Sequence, residues 1–87
     1  MIFEKARIIE SYDNVEYVTM SVIKENGKEY AFANKLSEEE ESTNEYRIFT
    51  IIDDEITVVE NNNLINKLLP IFQKEIEKDL KEILNDK

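Results

Sequence analysis

The hydrophobic pattern of this chain changes period once, at Asn61-Asn62-Asn63, and that change divides it into a sheet-forming and a helix-forming part. Before these asparagines, apolar and polar residues alternate as a pleated strand requires; after them, apolar residues recur at helical spacing. In the first part, Val18, Met20 and Val22 alternate with Tyr17, Thr19, Ser21 and Ile23 within a strand from Val15 to Ile23, and Glu29 to Asn34 alternates as well. Between them lies Glu25-Asn26-Gly27-Lys28, which contains the only glycine of the chain. Asn-Gly favours a two-residue type I′ hairpin, because both central residues need positive φ. The register that follows sets Lys24 against Glu29, Ile23 against Tyr30, Val22 against Ala31, Ser21 against Phe32 and Met20 against Ala33. Val18, Met20, Val22, Ala31 and Ala33 then form an apolar face whose alanines leave room for a helix, while Tyr30 and Phe32 lie on the other. Both faces are apolar enough to be covered.

Three further strands are predicted. Ala6 to Tyr12 precedes a turn at Asp13-Asn14, and Tyr46 to Ile52 with Ile56 to Glu60 flank the tight Asp53-Asp54-Glu55 connection. The run from Ser37 to Glu45 reads as an acidic loop, since glutamates resist packing and Ser, Thr and Asn favour turns. The carboxylates of Asp53-Asp54-Glu55 lack the spacing and the glycine of a calcium loop, so the turn is the better account of them.

Beyond the asparagines, any of which can cap a helix, Ile65, Leu68, Leu69, Phe72, Ile76, Leu80 and Ile83 fall on one stripe. The stripe keeps its register across Pro70, which predicts one helix over about 62–86, kinked at a solvent-facing proline, rather than two helices. Such a helix runs to about 37 Å, whereas strands of this length reach only about 20 to 27 Å. Its last turns, with Ile83 and Leu84, are expected to overhang the sheet. The expected fold is therefore a single α+β domain over residues 1–87: a five-stranded, mostly antiparallel meander over about 6–60, with one long C-terminal helix packed on one face.

Charge is distributed as unevenly as hydrophobicity. The formal net charge is −9, and all of it arises before residue 62, where 15 acidic residues face 6 basic ones; the remainder is balanced. Binding to nucleic-acid phosphates or anionic membranes is disfavoured by that sign, whereas a basic protein surface is a suitable partner. The N-terminus, MIFEKARIIE, has charges every few positions, which suits neither a signal peptide nor a span and points to a cytoplasmic protein. There is neither Cys nor His. Thiolate chemistry and the commonest general base and metal ligand are thus missing, and no arrangement of the remaining groups resembles a catalytic site, so no enzyme activity, metal or cofactor is expected. The tyrosines Tyr12, Tyr17, Tyr30 and Tyr46 lack the basic neighbours of a base-stacking platform and read as packing residues.

From Gly27 onward the order of features resembles the YrzB-like family, small acidic proteins of Firmicutes with no assigned activity. It comprises Gly27-Lys28-Glu29-Tyr30 opening an apolar strand, the acid-rich Glu38 to Glu41, the strand Tyr46 to Ile52, the acidic turn Asp53-Asp54-Glu55, a short strand ending in Val59-Glu60 and a terminal amphipathic helix. The family's helix is usually shorter and more acidic, whereas this one is extended, contains lysines and is interrupted by Pro70. The resemblance implies a strand-then-helix fold and a cytoplasmic setting, and no activity.

These features point to a non-catalytic adaptor or regulator that binds a protein partner, one with a basic surface, through Glu38, Glu39, Glu40, Glu41 and Glu45, through Ile83 and Leu84 at the end of the helix, or through both. Two alternatives share the same composition. One is a phage- or mobile-element-type inhibitor that mimics nucleic acid towards an enzyme such as a defence nuclease, for which Glu16, Glu29 and Glu45 would extend the acidic surface. The other is a structural homodimer formed through the C-terminal helix.

Overall fold

The computed structural model describes residues 3–11 and 14–85, with side chains up to residue 82. Five strands, β1 (Ile8–Glu10), β2 (Glu16–Glu25), β3 (Lys28–Leu36), β4 (Ser42–Ile52) and β5 (Glu55–Val58), are followed by one helix, α1 (Asn62–Asn85). Each strand pairs antiparallel with its neighbour in sequence, in the order β1-β2-β3-β4-β5. This is the expected α+β meander with a C-terminal helix. Tyr12, expected to end the first strand, and Asp13, expected in the turn after it, lie outside the described residues.

Positive φ angles mark the turns. Asn26 (52°) and Gly27 (77°) form the hairpin between β2 and β3, and Asp53 (51°) and Asp54 (64°) form the one between β4 and β5. Both have the pair of left-handed residues that a type I′ turn needs. From the first turn the register runs as expected through Ser21 opposite Phe32, but Thr19, not Met20, then stands opposite Ala33. Met20 is the extra residue of a bulge and is 45% exposed. A bulge reverses the side-chain alternation beyond it. Tyr17 and Thr19 consequently turn to the Ala31/Ala33 face, and Val18 leaves it.

That reversal decides what covers each face. Ala31 and Ala33 are fully buried, yet no described residue of α1 belongs to their cluster. The space above them is filled from within the sheet by Tyr17 of β2 and Phe49 of β4, whose rings meet edge to face at 5.1 Å. Phe3 and Ile9 complete this cluster, and the Phe3 amide donates to Glu29 Oε1 at 3.3 Å. The sheet curls about its central strand, and the expected vacancy for a helix is closed by the curl. α1 packs instead on the Tyr30/Phe32 face, where Leu68 and Phe72 are buried with Ile23, Tyr30, Ile48 and Val59. Burying each of those two helix side chains stabilises the fold by roughly 1.5–3 kcal/mol.

The helix is unbroken through Pro70, which is exposed. Asn61 is the residue that caps it: its Oδ1 accepts from the Leu64 amide at 3.0 Å and its carbonyl from the Ile65 amide at 2.9 Å. Further along, Lys5 Nζ reaches Asp79 Oδ2 at 2.9 Å and joins the N-terminal segment to the distal half of α1. The hydrogen bond and then the charge of Asp79 hold the Lys5 ammonium above the usual lysine range. No helix among the described residues is long and apolar enough to cross a membrane.

Two substitutions probe this packing by urea unfolding. Ala33→Leu forces volume into the place occupied by Tyr17 and Phe49 and is expected to cost about 1–3 kcal/mol. Pro70→Ala restores a donor to the Asn66 carbonyl and removes a ring clash at an exposed position, and is expected to stabilise by about 1–3 kcal/mol.

Candidate binding cleft beside the free edge of β4

The candidate site arises from unequal strands. β4 has 11 residues and β5 only 4, so β5 covers Phe49 to Ile52 alone. One more bond, from the Val59 amide to the Ile48 carbonyl at 2.8 Å, follows before the chain departs into the Asn61 cap. From Ser42 to Arg47, β4 has β3 on one side and, among the described residues, no strand on the other. The expected loop from Ser37 to Glu45 is correspondingly shorter. Residues 42–45 belong to β4, because β3 supplies partners that the turn-forming character of Ser42, Thr43 and Asn44 gives no hint of.

Those partners come from a side chain. Leu36 stands opposite Ser42 and Asn34 opposite Tyr46, so Lys35 alone opposes three residues of β4. Asn34, 2% exposed, stitches the mismatch: its Nδ2 donates to the carbonyls of Thr43 at 2.6 Å and Glu45 at 3.0 Å. Thr43 Oγ1 returns a bond to the Lys35 carbonyl at 2.7 Å. The carbonyls of residues 43 and 45 therefore point towards β3. Since backbone groups alternate along a strand, those of Asn44 and Tyr46 point outward, as the Ile48 carbonyl does.

Beside this edge lies a cleft of about 360 Å³. It wraps the edge, with Tyr17, Lys35 and Arg47 on one side and Phe32, Tyr46, Ile48, Ile65 and Leu69 on the other. The Tyr46 ring stacks on Phe32 at 5.0 Å and 8°, and Phe32 leans on Phe72 at 5.5 Å. A second hollow of about 380 Å³ continues along α1, bounded by Phe32, Leu69, Phe72 and Ile76. The buried side of α1 is centred on Leu68 and Phe72, to one side of the stripe's middle. Leu69 (41% exposed) and Leu80 (54% exposed) are thus left on a flank the sheet does not reach. The polar groups of the cleft are joined in pairs: Lys35 Nζ with Glu45 Oε2 at 3.1 Å, and Arg47 Nε donating to Tyr17 Oη at 2.8 Å. Such a surface can hold an apolar or extended partner.

The acidic residues divide. Glu38 to Glu41 occupy the tip of the β3–β4 hairpin, closed by the Ser37 amide to the Glu41 carbonyl (2.8 Å) and the Glu40 amide to the Ser37 carbonyl (2.9 Å), with Glu40 left-handed at φ 60°. All four are exposed and make no ion pair among the described residues. Glu45 is on β4 and ion-paired to Lys35, and Glu29 serves the Phe3 amide, so neither is free to extend the acidic tip. The side chains of Ile83 and Leu84 lie outside the described residues. No group of three or more acidic side chains that could hold a metal ion occurs among the described residues. Sequence reasoning passed over Tyr46 and Leu69 as site residues; the excess length of the strand before Asp53 over the one after it was the signal available.

Asn34→Ala removes both bonds from β3 to the irregular stretch. It is expected to cost about 1–3 kcal/mol and to speed amide hydrogen exchange at residues 43–47 more than in β2. Comparison with models of protein families, with curated proteins and with solved structures gave no match to this chain, so the resemblance to YrzB-like proteins rests on the residues that carry it.

Proposed function

We propose that this chain is a non-catalytic binding module, a small acidic adaptor or regulator that holds a protein partner with a basic surface. The observation that carries this reading is the aromatic-floored cleft at the edge of β4, open to solvent and continuous with the exposed flank of α1. Apolar side chains gathered in an open groove favour a partner that buries them. The acidic tip and the overall charge of −9 draw basic proteins and repel nucleic acid. A nucleic-acid mimic would present its carboxylates in rows, whereas Glu38 to Glu41 are gathered at one hairpin tip.

The reading is tested by affinity capture from a lysate of low-GC bacteria, comparing the wild type with Leu69→Glu and with a variant in which Glu38 to Glu41 are all glutamine. A specific protein should be captured by the wild type, lost with Leu69→Glu, and captured less by the glutamine variant at low salt. Capture that ignores both changes removes the cleft and the tip as the binding surface. Sedimentation that shows a concentration-dependent dimer abolished by Leu69→Glu would replace the partner with a second copy.

A further inference from the structure

We infer that the outer edge of β4 at Asn44 to Arg47 receives an extended segment of a partner as an added antiparallel strand, its alternate apolar side chains entering the aromatic cleft and basic residues following beside Glu38–Glu41. This rests on the reading of the protein as a binding module and names what it binds. An edge of unpaired amides and carbonyls is a template for another chain, and folded proteins ordinarily blunt it with proline, inward charges or a covering element. Among the described residues, the outer side of residues 42–47 has no such guard. The run holds no proline, the irregularity of the strand is resolved on its β3 side by Asn34, and its charges Glu45 and Arg47 are engaged with Lys35 and Tyr17.

Backbone pairing gives affinity in such complexes, and pockets for alternate side chains give selectivity. Both are present at one place, since Tyr46 lines the cleft with Ile48, Ile65 and Leu69, and the outward groups of Asn44 follow two residues further along the same edge. Direction follows from topology. A strand antiparallel to β4 continues the line of β5, beginning near Ile48 and running towards Ser42, so it meets the cleft first and the hairpin tip last. Tyr46 and Glu41 are separated by about 17 Å of extended chain, which places the basic residues roughly four to six positions after the apolar ones. The occupant therefore carries apolar residues at alternate positions followed by Lys or Arg. A second copy is disfavoured, because it brings another −9 to the same surface.

The test uses the whole ¹⁵N-labelled chain and the capped synthetic peptide Val-Thr-Val-Thr-Leu-Thr-Lys-Arg-Lys. Addition should shift and protect from exchange the amides of Asn44 and Tyr46. Asn44→Pro deletes one outward donor and leaves the Asn34 bonds to Thr43 and Glu45 in place, and should weaken binding about tenfold. Leu69→Glu alters only the cleft wall and should weaken it without touching the edge. The peptide with glutamates in place of its basic residues should not bind, and the peptide of reversed order should bind less well. Shifts confined to Glu38–Glu41 and abolished by salt, shifts along α1 that omit Asn44 and Tyr46, edge shifts that grow with protein concentration before peptide is added, or no shifts at all would each overturn the added strand. Lysate capture that still depended on Leu69 would in that case leave the binding-module reading standing.

Discussion

The missing side-chain volume on one face of β3 governs the rest of the molecule. With alanine at positions 31 and 33, Tyr17 from one neighbouring strand and Phe49 from the other meet across β3. A ring contact over a central strand requires the sheet to curl, and curling uses up the room that a helix would need on that side. The helix is thereby directed to the face where Tyr30, Phe32 and Ile48 offer bulk to pack against. Close packing leaves little latitude in such a choice, because a side chain fills a space only where its neighbours are small.

The second constraint is arithmetic. A meander closes each hairpin by a turn, yet nothing forces successive strands to match in length. β3 and β4 run together to the acidic tip, whereas β5 stops early because Asn61 must cap α1. One decision about where the helix begins thus has two results: a rigid wall at Ile65 and Leu69, and beneath it a length of β4 with no outer neighbour. The cleft is the space between them.

Much of this could be read from the residues. Asn26-Gly27 and Asp53-Asp54 declared their hairpins, the single change of hydrophobic period separated sheet from helix, and the stripe crossing Pro70 indicated one helix rather than two. The bulge at Met20 was not legible, because it goes with the contact of Tyr17 and Phe49 across β3, which a linear pattern cannot contain. For the same reason the alanines, read in sequence alone, leave room for a helix. Residues 42–45 looked like loop since Ser, Thr and Asn favour turns locally, and the override comes from Asn34, a residue eight or more positions away. The face covered by α1 and the exposure of Leu69 both depend on that tertiary choice.

The late position of the helix in the sequence has a thermodynamic consequence. Every strand is bonded to its neighbours in sequence, so the sheet can assemble hairpin by hairpin through local contacts. α1 joins by contacts between residues far apart, such as Phe72 with Phe32 and Asp79 with Lys5. An element attached in that way can open locally at less cost than the sheet itself. When it does, the wall of the cleft leaves with it. Occupancy of the cleft and docking of the helix are therefore linked equilibria: whatever fills the groove also fastens α1 to the sheet.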